Sequence, residues 1–331
     1  MKIYIFGSKR VGGVRIITTS IADSLKNLGY EVEYIFGFRV IKFYLSRLFE
    51  IFLWKKNKYY FITWGIYNLL PLPTNKTISF LHGFPSYNQQ DLLRYSIFRF
   101  IILYSRFRKI KTISISKYSQ SILEDIFNLK TKLVRNTIPF NFIKNLEVED
   151  LEKDLDIIFV GRANKYKLPN YIIECLEILA KRGLNIYVIG DGISKDNYLK
   201  NNLDTKIKFI DFISHDKVIS FLKRSKYFIS CSSSEPFGIV FLEALLYGCK
   251  TISPRSGGLL EISSIFPEYN RDLFNFYDNE KNAKEILLGL DYSTYISKKE
   301  DQKEIINVLK NKFNPISHAK ELVEILKSLE N

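Results

Sequence analysis

The sequence predicts an α/β protein made of two doubly wound domains, each a parallel sheet covered by helices on both faces. Three observations support this prediction. The chain has 331 residues, enough for two medium domains. It opens with a short buried strand, a glycine-containing loop, a helix and a second strand, which is the order of a parallel α/β unit. The same order begins again after about residue 152.

The first domain is predicted over residues 1–150. Its first strand, "MKIYIFG", is followed by a turn at Gly12 and Gly13 and by the helix "RIITTSIADSLKNLG", which ends at Gly29. Further strands are predicted at "YEVEYIFG", "KTISFLHG" and "KTISIS". Ser116 is well placed to cap the helix "KYSQSILEDIF".

The second domain is predicted over residues 151–314, after the charged connector "NLEVEDLEKD". Its strands are "LDIIFVG", "LNIYVIGDG", "KIKFIDFI", "KYFISCSS" and "CKTISP". Its helices are "PNYIIECLEILAKRG", "HDKVISFLKRS" and "IVFLEALLYG". A last amphipathic helix at 315–331 is expected to pack back on the first domain.

Positive charge is concentrated in the first half of the chain. The net charge is +14, and residues 39–118 hold 14 lysines and arginines against two acidic residues. Such asymmetry suggests a polyanionic partner, either a membrane surface or a nucleic acid. No RNP or helix-turn-helix pattern is present, so a nucleic acid is not expected.

Two basic segments, residues 39–54 and 94–109, have helical apolar periodicity. Their predicted apolar stripes are Ile41, Leu45, Leu48 and Phe52, and Ile97, Phe100, Ile101, Tyr104 and Phe107. Further apolar residues (Phe43, Trp54, Phe98 and Ile102) lie among the basic residues on the other face. Core helices with basic outer faces and interfacial helices on an anionic membrane both fit this pattern.

Composition excludes several classes of protein. Cys175, Cys231 and Cys249 show no CxxC spacing and are expected to be buried thiols in a reducing compartment. The opening residues do not read as a signal peptide, and no charge-free apolar stretch is long enough to span a membrane. The expected location is therefore cytoplasmic, with peripheral membrane association.

Six motifs occur in order along the chain: "GGVRIITTSIADSLKNLGYEV", "SFLHGFP", "FVGRANKYK", "VIGDG", "EPFGIVFLEAL" and "SPRSGGLLEI". Together they resemble those of the family-4 retaining glycosyltransferases. The resemblance implies the two-Rossmann architecture called GT-B, with the two domains facing a cleft. It also implies an enzyme that takes a sugar from a nucleotide-sugar donor.

Glu235 and Glu243 stand eight residues apart in the fifth motif. At helical rise this spacing covers ~12 Å, so one carboxylate can reach the sugar hydroxyls and the other the ribose hydroxyls of a long donor. We assign Glu235 to the sugar and Glu243 to the ribose. Gly238, Ile239 and Val240 begin a helix whose amides can face the phosphates. A buried glutamate pair on a core helix is the structural alternative.

Arg162 and Lys167, beside Gly161, suit the opposite side of the diphosphate. Negative charge builds on the leaving nucleotide, and fixed cations act where that charge develops. Solvated loop cations are the alternative. Gly12 and Gly13 allow the first domain's backbone to approach the phosphate across the cleft.

His82 follows a predicted strand, and the resemblance places it beside the donor sugar. A satisfied structural histidine is the alternative. His215 and His318 are predicted on surface turns or helices and have no assigned role. No His/Asp/Glu cluster with metal-ligand spacing is found, so neither a metal nor another cofactor is expected. An inverting reaction needs an in-line base. The Gly-Gly loop, where related inverting enzymes carry a histidine, has none here, and the resemblance therefore favours retention of configuration.

The predicted function is transfer of a sugar from a nucleotide-sugar to a lipid-linked or glycan acceptor at a membrane surface. We assign the catalytic roles to Arg162, Lys167, Glu235 and His82. A nucleotide-sugar epimerase and a non-catalytic membrane or nucleic-acid binder remain the rivals. The residues assigned to the membrane surface are Lys42, Phe43, Arg47, Trp54, Arg99, Arg106 and Arg108.

Overall fold

The computed structural model describes residues 1–7, 12–46, 59–83, 92–139, 152–162, 167–192, 207–269, 273–293, 295 and 299–330. The chain divides into two compact units. The first contains Met1–Leu146 together with Lys310–Asn331, and the second contains Glu147–Leu309. The C-terminal residues thus belong to the first unit, where the helix at its end packs against the first helix of the chain.

The first unit is built on a six-stranded sheet of order β2-β1-β3-β4-β5-β6, in which every pairing is parallel. Its strands are β1 (Lys2–Gly7), β2 (Glu31–Phe36), β3 (Tyr59–Trp64), β4 (Thr77–Leu81), β5 (Lys111–Ser114) and β6 (Lys132–Leu133). Its helices are α1 (Gly13–Asn27), α2 (Phe38–Ser46), α3 (Leu92–Phe107), α4 (Lys117–Asp125) and the C-terminal α11 (Pro315–Ser328). The strand β1 is apolar on both faces because helices cover both sides of a parallel sheet.

The second unit repeats the design with a parallel sheet of order β12-β11-β10-β7-β8-β9. Its strands are β7 (Leu155–Val160), β8 (Ile186–Ile189), β9 (Ile207–Ile210), β10 (Ser225–Ile229), β11 (Lys250–Pro254) and β12 (Phe274–Tyr277). Its helices are α5 (Asn170–Lys181), α6 (His215–Arg224), α7 (Ile239–Leu246), α8 (Gly257–Ser263) and α9 (Glu280–Gly289). The helix α10 (Lys299–Lys312) runs from this unit into the first.

These elements confirm the predicted fold class and extend it. The strands β3, β6 and β12 and the helices α8, α9 and α10 were not predicted. The strand β3 reads "YYFITW" and lies between β1 and β4 inside the sheet. Aromatic and β-branched residues favour a strand there, so this element could have been recognised from its composition.

The helices α2 and α3 present faces that differ from the predicted stripes. In α3 the buried residues are Phe98, Ile101, Ile102 and Ser105, and in α2 the buried residue is Val40. Most of the predicted stripe is exposed instead: Ile41, Leu45, Ile97, Phe100 and Phe107. Both helices are apolar around most of their circumference, so periodicity alone offered two candidate faces. Residues 47–54 of the first predicted helix lie outside the described residues.

Side chains from other elements fix the C-terminal end of α7. Gln302 donates to the carbonyl oxygens of Leu245 and Leu246, at 3.3 and 2.7 Å. The ammonium of Lys153 donates to Tyr247 O at 2.5 Å. The last carbonyls of a helix have no partner within it, so these donors hold α7 in place from outside.

Candidate functional site

Glycines allow two strand ends of the second unit to approach closely. The amide of Gly161, just after β7, donates to Ile189 O of β8 at 3.0 Å. A Cβ on Gly190 would lie 1.5 Å from Gly161 O, so no larger residue fits at that position. Arg162 follows directly and is exposed at this edge. The edge is the carboxyl end of the parallel strands, where ligands of such sheets bind.

Lys167 and Glu235 form an ion pair in this unit. The Nζ–Oε2 distance is 3.2 Å, and their side chains are 44% and 19% exposed. The amide of Glu235 donates to Ser256 Oγ at 3.0 Å, and its carbonyl oxygen accepts from Gly258 N at 3.2 Å. The structure therefore brings a predicted phosphate ligand and a predicted sugar ligand together.

The helix α7 starts directly after Gly238, which adopts a left-handed conformation with φ 96°. Ile239 and Val240 form its first turn and are half-buried. Glu235 consequently lies in the loop before the helix, so helical rise applies only to the part of the spacing from Ile239 to Glu243. Because the left-handed Gly238 stops the helix from extending towards Glu235, α7 begins at Ile239. The amides of Ile239 and Val240 are therefore its N-terminal donors.

Glu243 is buried inside the second unit with 1% of its side chain exposed. Its Oε1 lies 3.1 Å from Nε2 of His215, the first residue of α6. Its Oε2 is also buried and accepts no hydrogen bond from any residue that the structure describes. A carboxylate oxygen in that state is costly unless a ligand supplies donors.

The two partners affect each other's protonation. Burial raises the pKa of Glu243, and the hydrogen bond and charge of His215 oppose this rise. Burial lowers the pKa of His215, but the hydrogen bond and charge of Glu243, together with Asp216, raise it above its ordinary value. His215 was expected on a surface element with no role. Its partner lies 28 residues further along the chain, and no local pattern marks a contact of that separation.

In the first unit, Gly12 has φ 155° and precedes α1, which begins at Gly13. A Cβ on Gly12 would meet nothing within 4 Å, so the backbone conformation alone favours glycine. The loop residues 8–11 before it lie outside the described residues. The predicted glycine turn is therefore described only at its helical end.

His82 lies at the carboxyl end of β4 in the first unit and stacks on Trp64 and Phe80, with ring centroids 5.7 and 5.6 Å away. Burial, reinforced by the charge of His318, lowers the pKa of His82 to about 3. Its Nε2 is buried and has no hydrogen-bond partner within the described part of the chain. The ring is therefore neutral at physiological pH, with one polar atom left unsatisfied.

A pocket of about 400 Å³ opens beside His82. Its wall is mainly apolar and comes from the ends of β3 and β4, from the first turn of α1 and from α3. Phe98 and Ile101, which belong to the inner face of α3, form part of this wall. The volume lies within the range of small-molecule sites.

The residues assigned to a membrane surface separate into three groups. Lys42, Arg99 and Arg106 are exposed. Phe43 and Arg108 are engaged within the protein, because Phe43 packs 4.7 Å from the ring of Tyr4 and Arg108 donates to Leu72 O at 2.9 Å. Both side chains are half-buried, so they are less available to a lipid surface than the first three. Arg47 and Trp54 lie outside the described residues.

Within the described ranges, no group of three or more His, Cys, Asp or Glu side chains could hold a metal ion. In the same ranges, no helix is long and apolar enough to cross a membrane.

The fold is that of the GT-B class, which pairs two Rossmann-like α/β domains. The chain resembles Anabaena HepE, solved in complex with UDP-glucose, with a TM-score of 0.69 and 13% identity over 99% of this chain and 100% of that one. It also resembles WaaG, a glycosyltransferase involved in lipopolysaccharide biosynthesis, with a TM-score of 0.65 and 11% identity over 98% and 99% of the two chains.

The family model "Glycosyl transferases group 1" matches residues 142–310, and the chain belongs to this family. An uncharacterized glycosyltransferase of Methanocaldococcus jannaschii is 28% identical over 209 residues, which cover 56% of this chain and 51% of that relative. The chain spans about half the length of the curated relatives it matches.

The buried histidines of the first unit predict acid sensitivity. Burial lowers the pKa of His318 to about 4, and neither ring nitrogen of His318 has a hydrogen-bond partner among the described residues. Because the folded pKa lies below the unfolded value, the unfolded chain takes up protons first, and stability falls as pH drops from about 6.5 towards 4. At pH 5 the free energy of unfolding is lowered by about 2 kcal/mol for one such histidine.

We therefore expect His318→Leu to lose about 2 kcal/mol less stability than the wild type between pH 7.5 and pH 5, as measured by urea unfolding. His215→Gln is the control with the opposite sign, since the pKa of His215 is raised. Stabilisation from His215 is present at low pH and is lost as pH rises through its folded pKa. Equal pH dependence in the wild type and His318→Leu would contradict the prediction.

Proposed function

We propose that this protein is a retaining, metal-independent glycosyltransferase. It moves a sugar from a nucleotide-sugar donor to a lipid-linked or glycan acceptor. The observation that carries the proposal is the pairing of Lys167 with Glu235 immediately before α7, at 3.2 Å. A cation, a carboxylate and a helix N-terminus in one place match the phosphate and the sugar of such a donor. Membership of the glycosyl transferases group 1 supports the same activity.

The donor is held mainly by the second unit. Lys167 and Arg162 neutralise the diphosphate, together with the first amides of α7. Lys167 is 44% exposed, so its ammonium can exchange Glu235 for a phosphate oxygen when the donor binds. Glu235 then accepts hydrogen bonds from the sugar hydroxyls, and Glu243 accepts them from the ribose through its unpartnered Oε2.

The cations also act in the transition state. Cleavage of the bond between sugar and phosphate builds negative charge on the leaving nucleotide, and fixed positive groups stabilise that charge as it forms. The leaving phosphate takes the proton from the acceptor hydroxyl on the same face of the sugar, so configuration is retained. No divalent ion is needed, because Arg162, Lys167 and the helix amides supply the neutralisation.

His82 has a positioning role in this scheme. A histidine with a pKa of about 3 is a weak base, so it is poorly suited to remove a proton from an acceptor hydroxyl. It can still hydrogen-bond a hydroxyl through its unsatisfied Nε2. This supports a mechanism in which the leaving phosphate is the base.

The acceptor is assigned to the first unit and to an anionic membrane surface. The outward faces of α2 and α3 expose large apolar side chains: Phe38, Ile41, Leu45, Leu92, Leu93, Phe100, Leu103 and Phe107. The exposed cations Lys42, Arg99 and Arg106 lie on the same helices. The inner face of α3 lines the apolar pocket beside His82. One helix therefore offers a lipid-facing side and a pocket for the acceptor, as a peripheral enzyme on the cytoplasmic side requires.

The activity is tested with a melting-temperature screen against UDP-, GDP-, ADP- and dTDP-sugars, followed by turnover of the stabilising donor in excess EDTA. A ligand that binds only the folded state raises the melting temperature. We expect one donor to stabilise the protein and to be transferred or slowly hydrolysed without metal. No stabilisation by any of them would contradict donor binding. Activity lost in EDTA and restored by Mg²⁺ or Mn²⁺ would contradict metal independence.

The two glutamates are expected to fail differently when changed. Glu235→Gln should lower kcat by roughly 10²-fold or more, because a carboxylate near the sugar stabilises the positive charge that develops there. Glu243→Gln should raise the donor KM more than it lowers kcat, because its contacts are similar in the ground and transition states. Steady-state kinetics of both variants decide the assignment. If Glu235→Gln changed only KM, or Glu243→Gln only kcat, the assignment of the sugar to Glu235 and the ribose to Glu243 would be wrong.

Binding to vesicles tests the membrane surface. We expect Phe100→Ser with Phe107→Ser to reduce partitioning onto anionic vesicles by about tenfold or more, because two exposed aromatic side chains no longer enter the interface. Phe212→Ser in the second unit is the matched control, since Phe212 and Phe100 are 56% and 58% exposed. Binding of the wild type should fall at high salt. Equal binding to neutral and anionic vesicles, or an equal loss in the control, would reject this surface.

A further inference from the structure

His215 and Glu243 join two helices of the second unit through one contact. His215 is the first residue of α6, and its ring is 24% exposed. Its Nε2 reaches Oε1 of Glu243, in the middle of α7, at 3.1 Å. Glu243 is nearly inaccessible to solvent, whereas His215, its hydrogen-bond partner, is partly exposed.

The contact opposes the effect of burial on the protonation of Glu243. Burial favours the neutral acid, whereas the hydrogen bond and charge of His215 favour the carboxylate. A protonated acid has one oxygen committed as a donor, and its other oxygen is a weaker acceptor. Without His215, Glu243 would therefore lose much of its capacity to accept hydroxyl hydrogen bonds.

Other charged groups around the pair have partners of their own. Asp216, next to His215, supports its protonation. The strands β7 and β10 pack against α6, and their Asp156 and Lys226 pair with each other at 2.7 Å. Lys250 of β11, which packs against α7, lies over the ring of Tyr295. Among the described groups, His215 is the one that contacts the Glu243 carboxylate.

We propose that His215 is a positioning residue for the nucleotide: it favours the carboxylate form of Glu243 and occupies Oε1, so that Oε2 remains the acceptor for the ribose hydroxyls. This rests on the proposed function, which assigns Glu243 to the ribose. The buried and unpartnered Oε2 is the observation that points to a ligand. An unsatisfied carboxylate oxygen at 1% exposure is uncommon in a purely structural ion pair.

The test uses three substitutions of His215 and one control substitution, all in the full chain. His215→Gln places an amide donor near the position of Nε2 and keeps the hydrogen bond. His215→Leu removes the donor. His215→Asn keeps a polar residue at the start of α6 but is too short to reach Glu243, so it replaces the leucine variant if that one does not fold. Lys217→Leu, an exposed change on the same helix, is the matched control.

Dissociation constants for UDP, GDP and ADP are measured by calorimetry from pH 6 to pH 9, and kcat and KM with the matching nucleotide-sugar. We expect His215→Leu and His215→Asn to weaken nucleotide binding about tenfold or more near pH 6.5, with kcat largely retained. The loss should shrink as pH rises, because Glu243 then ionises without help from the histidine. His215→Gln should stay within about threefold of the wild type, and Lys217→Leu should match it.

The outcomes separate the two proposals. If the wild type binds a nucleotide, and His215→Leu and His215→Asn bind it with the same affinity and the same pH dependence, the role of His215 is overturned. The proposed function then still stands. An equal loss at every pH, or no rescue by His215→Gln, would reduce His215 to a structural contact. No binding by the wild type of UDP, GDP, ADP or, in the same assay, dTDP would overturn both proposals.

Discussion

A buried carboxylate is the constraint on which the second unit depends. Glu243 has 1% of its side chain exposed, and burial at that level disfavours the charged form. The contact of Oε1 with His215 on α6 favours the carboxylate form, and it requires that α7 be held in place. Gln302 and Lys153 hold the far end of α7 from outside the helix. Side chains well outside the site therefore determine the geometry of its most buried group.

The near end of α7 is fixed by close backbone packing. A Cβ on Gly258 would lie 2.5 Å from Glu235 O, and one on Gly238 would lie 2.5 Å from Leu259 Cδ2. The loop that carries Glu235 can thus approach α8 only because position 258 is glycine, whereas the Leu259 side chain could move away from a Cβ at position 238. This approach brings the Glu235 side chain to Lys167 at 3.2 Å. The two glutamates of one motif are consequently held in different ways. Glu235 is held by the packing of its loop, and Glu243 by the contact between α7 and α6.

The three histidines show how one residue type acquires different chemistry. His82 and His318 are buried among apolar and aromatic side chains of the first unit, and burial lowers the pKa of each. His215 is also partly buried, but the carboxylate of Glu243 raises the pKa of its ring above the ordinary value. A neutral ring donates one hydrogen bond and accepts one, whereas a protonated ring donates two and can stabilise a negative charge. The packing, rather than the residue, decides between these roles.

The sequence by itself determined the two parallel α/β units, because strand, glycine turn and helix signals are local. It also indicated Lys167, Glu235 and Glu243, because their spacing within short motifs is visible in one dimension. Only the tertiary structure decided which face of α3 is buried, since that helix is apolar on both sides and packing against Leu81, Leu123 and Leu129 selects one. It alone revealed His215, whose partner is 28 residues away. Contacts between separate elements depend on how the helices pack, and no local periodicity records that packing.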